Sequence, residues 1–566
     1  MKKNIFYWVL PLSIIILAIF LRFYQLGNIP IEINRDEASL GYTAYSILQT
    51  GTDEHGLKWP INIESFGDWK LPVYVYTLIP SVKIFGLTSW AVKLPSALAG
   101  VGIVVLSGIV SWILTFHWKD LKKRYLLSLL VSLMIAISPW NIHMSHMAYE
   151  ANLAMMIMLA GVILLLIALE NKSKQFLLIP SAILFGLTFF TYHSYQIFTP
   201  LLVLAILFIY QKQTTSILNK NKTVTFTSIF IAGLFTLTLL FTSFSANKTK
   251  FSGLSIFDTK SYAPYMEINR GYFENRNSLL AKLHSNNISF IANQAQRNIA
   301  DIFSSKFLFF EGGTHGSHDI PGTGKMYSVA FIFIMISLYQ FLVSWQKKEL
   351  NNFQKVILAW IGISVIAPFI TFEAAHTIRF SPALFGLEFL SAYGLFILLT
   401  KLSKNIFVKL LSAFFIFILA YSVIYFLATY FVISPKRDID NQNWQISRIV
   451  ELVNDRYEDY DNISMPGAQW SPYIYFLYLN KTDPKLLGSM IEYLPVDNEG
   501  FKHVKRLGKI DFTDVDWNNN DDNSTLFVIK KAEIPGDKLE SNSYEIEYSL
   551  TNPYAKDEWI LLSKNK

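Results

Sequence analysis

Leu71-Pro72-Val73-Tyr74-Val75-Tyr76-Thr77-Leu78-Ile79-Pro80-Ser81-Val82-Lys83-Ile84-Phe85 is the stretch on which the reading of this chain turns. It is apolar but short, and Pro72, Pro80 and Lys83 interrupt it. A bilayer core asks for about 20 apolar residues in a helix. The stretch is therefore either a marginal span or a helix lying at the interface. The rest of the chain decides between the two. Longer apolar runs occur at 5–26, 90–116, 125–141, 150–169, 176–192, 196–210, 223–245, 325–345, 354–372, 380–400 and 405–432, which makes eleven candidate spans. With the N-terminus inside, the inside loops carry Lys119, Lys122, Lys123 and Arg124; Lys172 and Lys174; Lys212, Lys220 and Lys222; Lys347, Lys348 and Lys355; and Lys401 and Lys404. The short outside turns at 142–149 and 193–195 carry no Lys or Arg, and the turn at 373–379 carries Arg379 alone. This is the positive-inside asymmetry. Counting 71–85 as a twelfth span reverses every later loop and destroys it, so the segment is placed on the outer surface.

The bulk composition agrees with a polytopic membrane protein bearing one soluble appendage. Of 566 residues, 52% are hydrophobic and 16% charged, against about 25% charged in an ordinary soluble domain. The mean hydropathy is +0.33. Cysteine is absent, which excludes disulfides, a thiolate nucleophile and Cys-ligated metal. Met1-Lys2-Lys3 precedes the first run without a small-residue cleavage signature after it, so that run is read as an uncleaved span.

The spans leave a membrane region, 1–433, with two large outer loops at 27–89 and 246–323, and a polar region, 434–566. The second loop has amphipathic stretches at Leu279–Leu283 and Ile299–Phe303. The polar region has strand-like runs at Thr525–Ile529, Tyr544–Ser549 and Trp559–Leu562, a helical pattern at Trp444–Val453 and an apolar run at Tyr473–Leu479. It is expected to be a small α/β domain, which loop parity places outside. No internal repeat stands out.

Polar residues gather on the outer side. Asp36 and Glu37 open an interfacial helix that runs to Leu48 and stops near Gly51. Acids at a helix N-terminus complement its dipole, and for Glu37 that account and a functional one stand equally; Asp36 sits at the bilayer boundary beside other polar groups, a functional pattern. Lys70, after Asp68 and Trp69, either anchors the segment at the interface or neutralises a lipid phosphate. Glu150 opens the fourth run, preceded by His143 and His146. Arg379, near His376, stands where Lys and Arg are otherwise avoided, which favours a specific anionic partner such as a phosphate. His315 and His318 have loop-metal spacing but no third ligand, and read as a substrate-facing loop. Glu388 lies inside a run, where a carboxyl must be paired or protonated.

The run Leu21-Arg22-Phe23-Tyr24-Gln25-Leu26, followed by Asp36-Glu37-Ala38, resembles the start of the protein O-mannosyltransferase-like family. Bacterial aminoarabinose transferases of lipid A belong to the same GT-C superfamily. The resemblance extends to Gly67-Asp68-Trp69-Lys70-Leu71-Pro72-Val73-Tyr74, to Trp90-Ala91-Val92-Lys93-Leu94-Pro95-Ser96-Ala97-Leu98-Ala99-Gly100 and to Ser138-Pro139-Trp140, in matching order over most of 1–400. It implies an outer cavity, a polyprenyl-phosphate sugar as donor, Asp36 as or near the catalytic base, Glu150 as a second acid, and Lys70 at the donor phosphate. Two departures concern the second acid: the family often has an Arg where this chain has His146, and an Asp where it has Glu150.

Together these readings point to an inverting glycosyltransferase of the bacterial cell membrane. Asp36 and Glu150 are the catalytic carboxylates, and Glu37, Asp68, Lys70, His146, His376 and Arg379 line the substrate. Such a transfer needs a base for the acceptor hydroxyl and cations for the leaving phosphate. No cofactor is required, because Lys and Arg can take the charge role of a metal; a divalent ion at the outer loops is compatible with the pattern. The partners are a lipid-linked sugar donor, a protein or glycolipid acceptor and the bilayer, with no nucleic acid. A transporter or flippase of a lipid-linked saccharide is the alternative, although such proteins carry polar sites near the midplane, often in inverted repeats. A glycan polymerase or ligase of another fold is the third reading.

Overall fold

The computed structural model describes residues 2–245, 255–313, 316, 318–400, 406–439, 445–497, 502–517, 524–540, 543–555 and 558–564. His315 and Trp444 lie outside the described residues, as does the side chain of Asp68. The chain is largely helical, with a strand-rich region towards its C-terminus. Its contacts divide it into two compact units, Met1–Tyr24 with Ser96–Ala428, and Gln25–Pro95 with Thr429–Lys566. Each is described by itself.

The first unit is a helical membrane body. In the whole chain, seven described helices are long and apolar enough to cross a membrane, and up to nine if each of two bent pairs counts as one span. All eleven apolar runs are helical; the first forms Lys2–Phe23, 22 residues long, whereas the helix in the fifth, Leu178–Phe189, has 12 residues and falls short of span length. The body is built around Glu150–Glu170 and Ala383–Thr400, whose apolar windows are 72% and 89% buried. Gly394 lets the second of these approach Ser328–Gln346 closely, since a Cβ there would meet the Phe333 backbone.

One bent pair positions the later site residues. Asp120 caps the helix Leu121–Ile137 by accepting from the N–H groups of Lys122 and Lys123. The helix then breaks at Ser138-Pro139 and turns by 57° into Pro139–Ser145. A proline cannot continue the ladder, so carbonyls are left over before it. The buried Arg22 guanidinium takes them: Nη1 donates to Ala136 O at 2.8 Å and Nη2 to Ile135 O at 2.9 Å and to Asn141 Oδ1 at 2.6 Å. Tyr327 donates its hydroxyl to Ile137 O at 2.7 Å. Asn141 continues to Asn152, which donates to Ser96 O at 2.8 Å, tying the break to the helix that starts at Glu150. Broken backbone inside a bilayer is tolerated where side chains satisfy it in this way.

The second unit joins Gln25–Pro95 to the C-terminal sheet. The helix Arg35–Thr50 has Asn34 as N-cap, a complete capping box with Glu37, and Gly51 at φ 76 as left-handed C-cap. Pro72–Phe85 has 14 residues, a rise of about 21 Å, which is short of a ~30 Å hydrocarbon core. Its Tyr74, Val75, Leu78 and Val82 are buried, and Tyr74 donates to Val92 O at 3.1 Å. Between these helices a hairpin pairs β1, Ile63–Ser65, with β2, Asp68–Lys70, through Phe66 and Gly67 at φ 59 and 84. Two consecutive positive φ values match the twist of a two-residue hairpin.

The sheet contains β3 (Asn462–Ser464), β4 (Ile491–Tyr493), β5 (Val504–Leu507), β6 (Ile510–Asp511), β7 (Thr525–Lys530), β8 (Tyr544–Leu550) and β9 (Trp559–Lys564). Their order is β4-β5-β6-β3-β7-β9-β8. β3 runs parallel to β6 and β7, and the other pairs are antiparallel. The three strand-like runs of the sequence are β7, β8 and β9. Ile446–Asp455 is the expected helix, and the apolar run Tyr473–Leu479 is helical as well.

Candidate active site

In the second unit, the first turn of Arg35–Thr50 separates two adjacent acids. Glu37 is buried and serves the cap: its Oε2 accepts from Asn34 N at 3.1 Å while Asn34 Oδ1 accepts from Glu37 N at 2.8 Å. Asp36 points outward, with 55% of its side chain exposed, and its Oδ1 lies 3.0 Å from Lys70 Nζ. Lys70 ends β2 with its side chain 9% exposed. Its ammonium also reaches Asp36 O at 3.4 Å and lies 5.6 Å from the Phe66 ring centre, above which Arg35 stacks at 4.8 Å. The hairpin thus fixes a lysine beside an accessible carboxylate at a helix N-terminus, a place suited to anions.

Two charged groups behind this turn had no role in the sequence reading. Glu32 Oε2 accepts from Ser447 Oγ at 2.6 Å. Burial raises its carboxyl to about 7, against the opposing Ser447 bond and the charge of Lys93. Lys93 is fully buried, with Glu37 and Glu32 as the carboxylates it feels. A lone lysine near the start of an apolar helix, Ser89–Leu114, was the available signal.

The first unit assembles a second polar group. Glu150, half-buried, is the first residue of its helix after the extended Tyr149. His146 is buried and spans two backbone carbonyls, with Nδ1 3.0 Å from Ile142 O and Nε2 3.1 Å from Tyr24 O. His376 Nδ1 accepts from the N–H groups of Ile378 and Arg379 at 3.3 and 3.4 Å, so its Nε2 carries the proton of the neutral ring. Arg379 Nη1 donates to Glu373 O at 3.2 Å. The His318 ring lies 4.9 Å from that of His376 and 5.6 Å from that of Tyr149.

A buried ion pair holds the loop bearing His318 against the turn bearing His376. Asp319 pairs with Lys325 and accepts from Thr377 Oγ1 at 2.5 Å and from Gly313 N at 2.9 Å. Burial alone would raise the Asp319 carboxyl. The contacting Lys325 ammonium, Thr377 and Gly313 outweigh it and hold it at about 2. This pair went unnoticed in the sequence, because nothing local marks two loop residues as mutual partners. No group of three or more His, Asp or Glu among the described residues is placed to hold a metal ion.

The expected residues therefore fall into two groups. Asp36, Glu37 and Lys70 lie in one unit, and Glu150, His376 and Arg379 in the other, where the rings of Tyr149, His318 and His376 connect the turns that carry them and His146 is buried. Glu37 serves the N-cap box, a structural role that its place in the sequence did not disclose.

No family model matches the chain, and neither does any curated protein. Among solved structures it is similar to the oligosaccharyltransferase AglB from Archaeoglobus fulgidus in complex with an inhibitory peptide and a dolichol-phosphate, with a TM-score of 0.47, 12% identity, and coverage of 84% of this chain and 64% of that one. The chain thus spans less than two thirds of the archaeal enzyme. It is also similar to ArnT from Cupriavidus metallidurans in the apo state, with a TM-score of 0.48 and 10% identity over 98% of this chain and 97% of that one. The same protein bound to undecaprenyl phosphate gives a TM-score of 0.48 and 9% identity over 97% of both chains.

Proposed function

We propose that the chain is a membrane glycosyltransferase that moves a sugar from a polyprenyl-phosphate donor to a hydroxyl of a protein, lipid or cell-envelope glycan, at the outer face of a bacterial cell membrane. The observation that carries this reading is the Asp36–Lys70 pair: an accessible carboxylate 3.0 Å from a largely buried lysine, at the N-terminus of a capped helix. A carboxylate and a cation side by side suit a reaction that takes a proton from one partner and receives an anion from the other.

In the proposed step Asp36 accepts the proton of the acceptor hydroxyl. The acceptor oxygen bonds to the anomeric carbon as the bond from that carbon to the phosphate oxygen breaks. The electron pair leaves with the polyprenyl phosphate, whose charge Lys70 neutralises, and the single displacement inverts the anomeric centre. Carboxylates stabilise the oxocarbenium character of such transition states.

The test is to present the purified chain with a panel of polyprenyl-phosphate sugars and acceptors and to follow release of polyprenyl phosphate. Consumption of one donor, lost in Asp36→Asn, supports transfer. Movement of intact donor across a vesicle membrane, with no cleavage, identifies a transporter instead.

A further inference from the structure

The large outer loop carries a cavity that the reaction above does not use. It has a volume of about 240 Å³ and lies between the helices Thr259–Gly271 and Asn287–Ile302. Its floor is fixed. Tyr262 stacks on Phe290 at 3.9 Å between ring centres, and Phe290 lies 6.1 Å from the Phe372 ring. Asn298 donates to Phe369 O at 2.6 Å and to Thr371 O at 2.8 Å. At one end Arg270 is engaged, its Nε donating to Ser285 O at 2.9 Å and its Nη1 lying 3.3 Å from Glu267. Asn286 is used up as the cap of the second helix.

Other lining groups are uncommitted. Among the described residues the side chains of Asn269, Asn293 and Arg297 make no hydrogen bond, and Gln294 uses only its amide nitrogen. Tyr265 stands over the opening, 52% exposed, edge-on to Phe290 at 6.3 Å.

This lining discriminates among ligand classes. Phosphates and carboxylates are held by clustered cations or forked guanidinium contacts, and here Arg297 is the one uncommitted arginine in the lining. Drug-sized ligands take pockets of roughly 300–1,000 Å³ lined mainly by hydrophobic side chains, whereas this one is smaller and lined mostly by polar residues. Amide side chains both donate and accept, as sugar hydroxyls do. A half-exposed tyrosine offers a flat apolar face with a polar tip. The volume suits on the order of one sugar ring, below the drug-sized range. We propose that this cavity is a saccharide-binding site, with Tyr265 as the platform and Asn269, Asn293, Gln294 and Arg297 reading the hydroxyls. It stands on the cavity alone and does not depend on the role of Asp36.

The test uses the full chain in lipid nanodiscs. Saturation-transfer NMR measures binding of methyl α-D-mannopyranoside, N-acetyl-D-glucosamine and L-arabinose, with inorganic phosphate as the anion arm. At least one sugar should bind with half-saturation on the order of 1–20 mM, and should slow amide exchange over 262–271 and 287–298. Tyr265→Ala, and Asn293→Ala combined with Arg297→Ala, should each weaken it about tenfold or more. These side chains are solvent-facing, so the variants should keep the wild-type melting temperature. Asp36→Asn should leave the binding unchanged, which separates this site from the proposed reaction. The proposal is overturned if no sugar binds up to roughly 50 mM, if sugar binding survives both sets of substitutions, or if phosphate protects these helices and the sugars do not.

Discussion

Asp36 keeps 55% of its side chain exposed whereas Glu37, the next residue, is 1% exposed. Successive positions on a helix point about 100° apart, and only the third serves the N-cap box. The chemistry of this turn should therefore divide between them. Asp36→Asn removes a base while keeping size and hydrogen bonding. Transfer should fall ~10²–10⁴-fold at an unchanged melting temperature, and near-normal turnover removes Asp36 from the mechanism. Glu37→Gln keeps the box but removes a negative charge that the buried Lys93 feels, so it should lower the melting temperature in detergent. Glu37→Ala loses the box bond as well and should lower it further. Lys70→Ala and Arg379→Ala should impair donor use more than acceptor use, each by roughly 1.5–3 kcal/mol, the usual worth of a hydrogen bond to a charged group. Arg379→Lys should recover only part, since an ammonium lacks the two-point fork. Normal donor kcat and KM in both alanine variants would exclude a phosphate role for either cation. The sequence identified these groups because acids and cations at the ends of apolar runs are conspicuous. It was silent about Glu32, Lys93, Asp319 and Lys325, whose roles come from partners distant in the chain.

At the scale of elements, the contact of Glu32 with Ser447 joins the segment that follows the first apolar helix to the beginning of the C-terminal region. Burial raises the Glu32 carboxyl from 4.5 to about 7. An acid whose folded pKa is raised contributes stability that is fully present below its unfolded pKa and lost as pH rises through the folded one. The second unit should therefore lose stability between about pH 4.5 and 7 through this group, by on the order of 2–3 kcal/mol. Glu32→Gln, which stays neutral and can still accept from Ser447, should flatten that dependence. The readout is the melting temperature of wild type and variant at pH 5 and pH 8. Parallel curves would mean that Glu32 does not titrate in this window. The same scale shows why helices were easier to read than their breaks. Asn34, Asp120 and Gly51 are local signals that a cap supplies. The bend at Ser138-Pro139 is readable as a proline, but its stability rests on Arg22, more than a hundred positions away, whose bonds to Ala136 O, Ile135 O and Asn141 replace the missing ladder.

For the whole molecule, composition and charge parity made the helical membrane class legible, and strand propensity in 525–562 made the sheet legible. Two features escaped. Strands as short as β6, Ile510–Asp511, carry no pattern of their own. The association of Gln25–Pro95 with Thr429–Lys566 in one unit is long-range packing that no local window contains. Span number shows the limit of counting by length: the positive-inside pattern asks for eleven crossings, whereas seven described helices meet the length and hydropathy expected of a span, or nine with the bent pairs. Parity is the sharper criterion, because nine and eleven are both odd and leave the ends of the chain on opposite sides. Single cysteines in this cysteine-free chain test it. Ser173 and Ser543 are both exposed, so a membrane-impermeant maleimide should label Ser543→Cys on intact cells and reach Ser173→Cys only after permeabilisation. Labelling of Ser173→Cys on intact cells, or protection of Ser543→Cys, would reverse the orientation and put the sheet unit inside. Because Asp36 and Lys70 belong to the unit that holds the sheet, that outcome would also move the proposed carboxylate base to the cytoplasmic face, and the donor panel would then have to be offered from that side.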